Sequence, residues 1–175
     1  MICTRRMWRR KMNHISDKAT RTNSQGVHSI WLPETPLILA SRSNIRSAML
    51  HQALIPHETK PARLNERAIE DRGHFGSTDV TQLSTTLAQL KALAVSKHFP
   101  DHFVLGSDQT CTLYSKQIHK PANSVELKSQ LMLLRGKTHI LASAAAIAKG
   151  GKIIEVCASI ASLTMRNASD SFLDT

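Results

Sequence analysis

Residues 37–46 read Leu37-Ile38-Leu39-Ala40-Ser41-Arg42-Ser43-Asn44-Ile45-Arg46, and the passage from apolar to polar within this stretch sets the fold class. Leu37 to Ala40 is a short unbroken apolar run, the pattern of a buried strand. From Asn44 to about Leu54, the residues Ile45, Ala48, Met49 and Ala53 recur at helical spacing and predict a helix with one apolar face. A strand that hands over directly to a helix is the repeating step of an α/β protein.

The alternation continues outward. Residues 56–80 are polar and read as irregular. Leu83, Leu87, Leu90 and Ala94 predict a helix that ends before Pro100. Phe103-Val104-Leu105 predicts a second short strand, closed by Gly106. Cys111–Tyr114 with Gln117-Ile118 predicts a hairpin about Ser115-Lys116. Ser124 is placed to cap a helix carrying Leu127, Leu131 and Leu134, with Gly136 as its stop. Thr138–Ala148 and Ile153–Met165 predict a long hairpin about Gly150-Gly151. The hairpins make the expected sheet mixed rather than all-parallel, with helices flanking it.

The chain has 175 residues, 41% of them hydrophobic but only 4% aromatic, so its core must be built from aliphatic side chains. The net charge is +10, and it is uneven. Residues 1–30 hold seven basic side chains against Asp17, whereas residues 31–175 hold 16 basic against 12 acidic. Residues 1–36 therefore read as a basic extension, expected to be disordered, that joins a body at 37–175 through Trp31-Leu32-Pro33-Glu34-Thr35-Pro36. Its charge also suits a nucleic-acid-binding arm or a transit peptide. The most apolar stretch, Ile140–Ala148, is too short for a membrane helix. Cys3, Cys111 and Cys157 form no disulfide framework or zinc spacing, which fits a reducing, cytoplasmic location.

Three groups of residues carry chemistry. Ser41, Ser43 and Arg46 lie at a strand-to-helix junction, where unpaired N–H groups, hydroxyls and a guanidinium suit a phosphate. Simple capping by Ser43 or Asn44 explains the same residues. Asp108, in Gly106-Ser107-Asp108-Gln109, is expected at a strand end, where a carboxylate can hold a divalent cation or take a proton from water. A turn aspartate bonded to its own backbone is the alternative. Lys91 and Lys120 are mobile charges suited to a phosphate tail, or else solvated surface groups.

Five segments in series resemble the Maf family, also called septum formation inhibitor proteins. They are Leu37–Ser43 with Arg46; Leu90-Lys91-Ala92-Leu93-Ala94-Val95; Val104-Leu105-Gly106-Ser107-Asp108-Gln109; His119-Lys120-Pro121; and Leu134-Arg135-Gly136-Lys137-Thr138-His139. The resemblance covers Leu37 to the end. It implies a two-lobed Maf/ITPase-like α/β body around a mixed sheet, with a nucleotide in the cleft. It also implies a nucleoside triphosphate pyrophosphatase that uses Mg²⁺ or Mn²⁺ and acts on normal, modified or non-standard nucleotides. By resemblance, Asp108 is the proton acceptor and, with Glu66, a metal-binding group. Ser41, Ser43, Arg46, Lys91 and Lys120 are the phosphate-contacting set. Asn65 stands where the family usually has Asp. Ile45 and Gln109 occupy specificity positions. Gly106-Ser107-Asp108-Gln109 leans to the branch similar to 7-methyl-GTP pyrophosphatases, while Ile45 fits neither the arginine nor the tryptophan of the known branches.

Family members are often dimers, so the resemblance makes a homodimer an expectation; the short apolar stretches predict no membrane association, and the charge distribution confines any nucleic-acid contact to the basic arm. Family members continue beyond the segment Leu163 to Asp174, so a C-terminally truncated domain with an incomplete sheet is expected here. The competing functional expectation is a catalytically impaired remnant that binds nucleotides or nucleic acid.

Overall fold

The computed structural model describes residues 21–22, 28–29, 31, 33–73, 79–114 and 116–173. The disordered extension expected over residues 1–36 falls largely outside these. Within it, β1 (Arg21–Thr22) pairs antiparallel with β2 (His28–Ser29). Trp31 meets Phe103 edge to face, with 6.1 Å between ring centroids, so the chain is already seated on the body before Pro33.

The body runs β3 (Leu37–Leu39), α1 (Asn44–Gln52), β4 (His57–Thr59), α2 (Glu66–Arg72), α3 (Gln82–Ser96), β5 (Val104–Leu113), β6 (Lys116–Ile118), α4 (Ser124–Leu134), β7 (Thr138–Lys149), β8 (Lys152–Thr164) and α5 (Asp170–Leu173). It is a mixed α/β sheet, as expected. The strand order is β4-β3-β5-β7-β8, with β6 also on β5. β3 pairs parallel with β4 and β5, and the remaining pairs are antiparallel. The β7–β8 hairpin turns on Gly150 and Gly151, whose φ values of 56° and 74° are the left-handed conformations such a two-residue turn requires. Gly151 N–H donates to Ser96 Oγ at 3.2 Å, which pins the hairpin tip to the end of α3.

β5 organises the molecule. On one edge it pairs with β7 without interruption from Val104 to Thr112. On the other edge it pairs with β3 at Val104 and Leu105, and with β6 from Cys111 to Leu113. Between these, Gly106 to Thr110 have no strand partner on that edge among the described residues. The sheet forks there, over about 20 Å from Leu105 to Cys111 at the usual strand rise.

α3 lies across β5 and β7 and packs alanine on alanine. Ala88 and Ala92 meet Ala144, Ala146 and Ala148, while Val95 joins Ile38, Ala40 and Val104 in a second cluster. The closeness depends on Gly106, where a Cβ would lie 2.1 Å from Ala88 O and 2.6 Å from Ala92 N. Glycine is needed here for the approach of a helix, not for an unusual φ.

Three expectations are corrected. The polar stretch 56–80 contains β4 and α2. β4 exists because β3 offers it a parallel edge, and α2 starts at Asn65, whose side chain accepts from Ala68 N–H. The short strand expected at Phe103–Leu105 and the first hairpin arm expected at Cys111–Tyr114 are one ten-residue strand, Val104–Leu113, paired along its length with β7, so Asp108 lies in mid-strand rather than at a strand end. The cap of α4 is Asn123, with Ser124 the first helical residue. Neither α1 nor α4 contains a fully buried residue, although Leu50, Leu131 and Leu134 are half-buried. No helix among the described residues is long and apolar enough to cross a membrane.

Candidate active site

The fork in the sheet opens into a cleft of about 1060 Å³, lined by the loop after β3, by α1, α2, α3, β5, the segment after β6, α4 and β7. Ser41, Ser43, Ile45, Arg46, Glu66, Lys91, Asp108, Gln109 and Lys120 all line it. Side chains spread over 80 residues of chain are thus brought to one place.

At the first wall, Ser43 caps α1 by accepting from Arg46 N–H at 3.4 Å. Ser41 is buried, and its Oγ accepts from Ser43 N–H at 3.2 Å and from Arg46 Nη1 at 3.0 Å. Capping and anion binding are therefore not rival readings of this loop. The cap fixes the helix start, and Ser41 aims the guanidinium.

The floor is built on the contact between α3 and β5. Ala92 touches Gly106, so Lys91 is presented toward Asp108, two residues along the same face of β5. Lys91 is 7% exposed, which excludes the solvated-lysine reading. Its Nζ donates to Asp108 Oδ1 at 2.6 Å and lies 3.0 Å from Glu66 Oε1 on α2. One ammonium thus serves two carboxylates. Burial raises the Asp108 carboxyl above its ordinary pKa. Its hydrogen bond and charge contact with Lys91 oppose that rise, Glu66 adds to it, and Arg46 opposes it.

The far wall carries Lys120, exposed just beyond β6. Gln109 Nε2 donates to Ser143 Oγ at 2.7 Å, across the Gln109–Ser143 register pair of β5 and β7. This bond aims the Gln109 side chain along the sheet.

Several lining residues escaped the sequence reading. Glu70 of α2 pairs with His119 at 3.5 Å, joining α2 to the segment after β6 across the cleft. Gln130 of α4 donates to the His119 carbonyl at 2.8 Å. Thr110 Oγ1 is buried without a hydrogen-bond partner, on the same face of β5 as Asp108. Buried hydroxyls are normally satisfied, so an open one beside the carboxylates marks unmet polar capacity in the cleft. Recognising α2 would have offered Glu66 and Glu70, four apart on one helical face, as a signal. Ser143 becomes visible only through the β5–β7 register.

Divalent cations of the Mg²⁺ class take hard oxygen donors, often one or two carboxylates completed by substrate phosphate and water. Asp108 and Glu66, both drawn to one cationic centre at Lys91, fit that donor set. No three His, Cys, Asp or Glu side chains among the described residues form a cage by themselves. The fit is therefore to a cation that arrives with an oxyanion.

The sign of the Asp108 shift fixes a pH prediction. A carboxylate takes up a proton only when ionised, so any activity that uses Asp108 as its general base would lose its acidic limb of kcat/KM at higher pH than an ordinary aspartate would give. Replacing Glu66 with Gln removes a nearby negative charge and moves that limb to lower pH, as read from kcat/KM profiles of the two proteins. A limb that stays in place, or moves upward, contradicts the coupling.

The family described as Maf-like protein matches residues 36–175. A nucleoside triphosphate pyrophosphatase of Rhodopseudomonas palustris (strain BisB18) is 38% identical over 146 residues, covering 83% of this chain and 71% of that protein. A 7-methyl-GTP pyrophosphatase of Rhizobium meliloti (strain 1021) is 36% identical over 138 residues, covering 79% of this chain and 69% of that protein. Among solved structures, a HAM1 protein from Coxiella burnetii matches 76% of this chain and 74% of its own, with a TM-score of 0.48 and 13% identity.

Proposed function

This chain belongs to the Maf-like protein family, and we infer from that membership that it is a nucleoside triphosphate pyrophosphatase, which hydrolyses its substrate to a nucleoside monophosphate and pyrophosphate. The observation that carries the catalytic reading is the convergence of Asp108 and Glu66 on buried Lys91, in a cleft that also holds Arg46 and Lys120.

Phosphoryl transfer asks a protein mainly for positioning and charge neutralisation. Ser41, Ser43, Arg46 and Lys120 receive the polyphosphate tail from two walls of the cleft. Lys91 holds Asp108 Oδ1, which leaves Oδ2 to take a proton from water. The oxygen of that water bonds to the α-phosphorus, the bond from the α-phosphorus to the bridging oxygen breaks, and pyrophosphate leaves with the bonding electron pair. The raised pKa of Asp108 makes it a better proton acceptor than a solvated carboxylate. Asp108 and Glu66 would hold Mg²⁺ or Mn²⁺, which would further neutralise the phosphate oxygens.

The test is pyrophosphate release from a panel of nucleoside triphosphates with Mg²⁺ or Mn²⁺. Equimolar monophosphate and pyrophosphate are expected. Release of orthophosphate instead, or no turnover of any triphosphate, would overturn the reading.

A further inference from the structure

We propose that Ser47 and His57 form a second reactive site, on the side of α1 turned away from the cleft, in which His57 activates the Ser47 hydroxyl to take the acyl group of a small carboxylic ester. This site stands apart from the polyphosphate reading above.

α1 presents two faces. Ile45, Arg46 and Met49 line the cleft, whereas Asn44, Ser47 and His51, three and four residues apart, line a separate cavity of about 480 Å³ with His57 of β4. Ser47 Oγ lies 2.7 Å from His57 Nε2, and His57 Nδ1 lies 3.0 Å from the Ile55 carbonyl oxygen. A carbonyl oxygen only accepts, so Nδ1 carries the proton. In the neutral ring Nε2 then accepts from the Ser47 hydroxyl. A hydroxyl, a base within reach of it and a third group that orients the base make up the arrangement of an activated nucleophile.

The backbone holds this arrangement in place. Ile55 N–H donates to the Leu50 carbonyl at 2.9 Å, which ties the orienting residue to α1. Leu37 N–H donates to the Pro56 carbonyl at 2.9 Å, and His57 is the register partner of Leu37 in the β3–β4 pair. Ser47 and His57 are both half-buried, so the pair is sheltered yet reachable.

In the reaction, Ser47 Oγ bonds to the carbonyl carbon of the ester while its proton passes to His57 Nε2. The bond from that carbon to the ester oxygen breaks. The leaving oxygen keeps the electron pair and takes the proton from Nε2, and acyl-Ser47 remains. Water then gives a proton to Nε2 and attacks the acyl carbon, Ser47 leaves with its electron pair and recovers the proton, and the carboxylic acid is released. Asn44, one turn before Ser47 on the same face, brings an amide that can donate to the carbonyl oxygen as charge develops there. Ala48 is the apolar residue of the cavity, which suits a short acyl group such as acetyl.

The test exposes the full chain to p-nitrophenyl acetate and locates the acetyl groups by mass spectrometry. Ser47 is expected to be the fastest serine acetylated in the folded protein and to lose that lead in urea. His57→Gln should slow its acetylation at least about 100-fold, and free imidazole should restore part of the rate in His57→Ala. Rescue by imidazole is a response that a bond serving only to tether β4 to α1 would not give. Ser47→Ala should abolish the label at this position and leave pyrophosphate release unchanged. Acetylation confined to lysines or imidazoles, or an unchanged Ser47 rate in folded His57→Gln, overturns the site. So does a Ser47 that reacts no faster in the folded chain than in urea, a comparison that decides the matter without any variant should the His57 substitutions fail to fold.

Discussion

Asp108→Asn is expected to lower kcat by about 10³-fold, within the range that loss of a positioned general base produces. Asn is close in size to Asp, and its carbonyl oxygen can still accept from Lys91 Nζ, which sits 2.6 Å from Oδ1. The floor of the cleft therefore keeps its shape. What disappears is the negative charge and, on the proposed mechanism, the basic oxygen that receives the proton. Nucleotide affinity should hold or tighten, because a negative charge has been removed from beside a polyanion. Steady-state pyrophosphate release, with calorimetry on an α,β-methylene analogue, separates the two effects. A kcat within tenfold of wild type would show that another group accepts the proton.

Gly106→Ala is expected to damage the site from the side of packing. The added methyl would lie 2.1 Å from Ala88 O and 2.6 Å from Ala92 N, both backbone atoms of α3 that no rotamer change can move. The helix must lift from β5, at a cost of about 1–3 kcal/mol for an overpacked core. Lys91 lifts with it and loses its hold on Asp108. Displacements near 1 Å at a catalytic group can cost about 10²-fold in rate, so kcat should fall by a similar amount in whatever protein remains folded. Gly136→Ala is the control. That glycine has a φ of 65°, but its nearest neighbour is 3.9 Å away at Asn167 and it does not line the cleft. It should lose stability through backbone strain alone and keep its kcat. Thermal unfolding with pyrophosphate release distinguishes the two variants, and equal kcat values would contradict the coupling of packing to chemistry.

The sequence was legible where local signals and tertiary demand agree. The long β7–β8 hairpin is written in alternation plus Gly150-Gly151, and the structure keeps both strands and the turn. α3 is present too, yet its buried face runs through Leu83, Leu87, Lys91 and Val95 rather than through Leu90 and Ala94. A lysine was not expected in that row, because its burial depends on Asp108, a partner 17 residues away. Gly106 and Asp108 misled for the opposite reason. Both are turn residues by local preference, but continuous pairing with β7 carries the strand through them. The apolar spacing of α1 and α4 correctly marked helices, but periodicity shows that a face is apolar without showing what it meets, and neither helix holds a fully buried residue. The candidate site residues were named from ordered motifs, and the fork of β5 explains why they line one cleft. What the sequence withheld was the geometry of exchange among them, above all the sharing of Lys91 between two carboxylates.

Hydrolysis in water enriched in oxygen-18, followed by mass spectrometry of both products, tests the central chemistry most directly. Attack at the α-phosphorus by water poised on Asp108 puts the heavy oxygen in the nucleoside monophosphate and leaves the pyrophosphate unlabelled. Label in the pyrophosphate would place the attack on the β-phosphorus and contradict the assignment of the cleft.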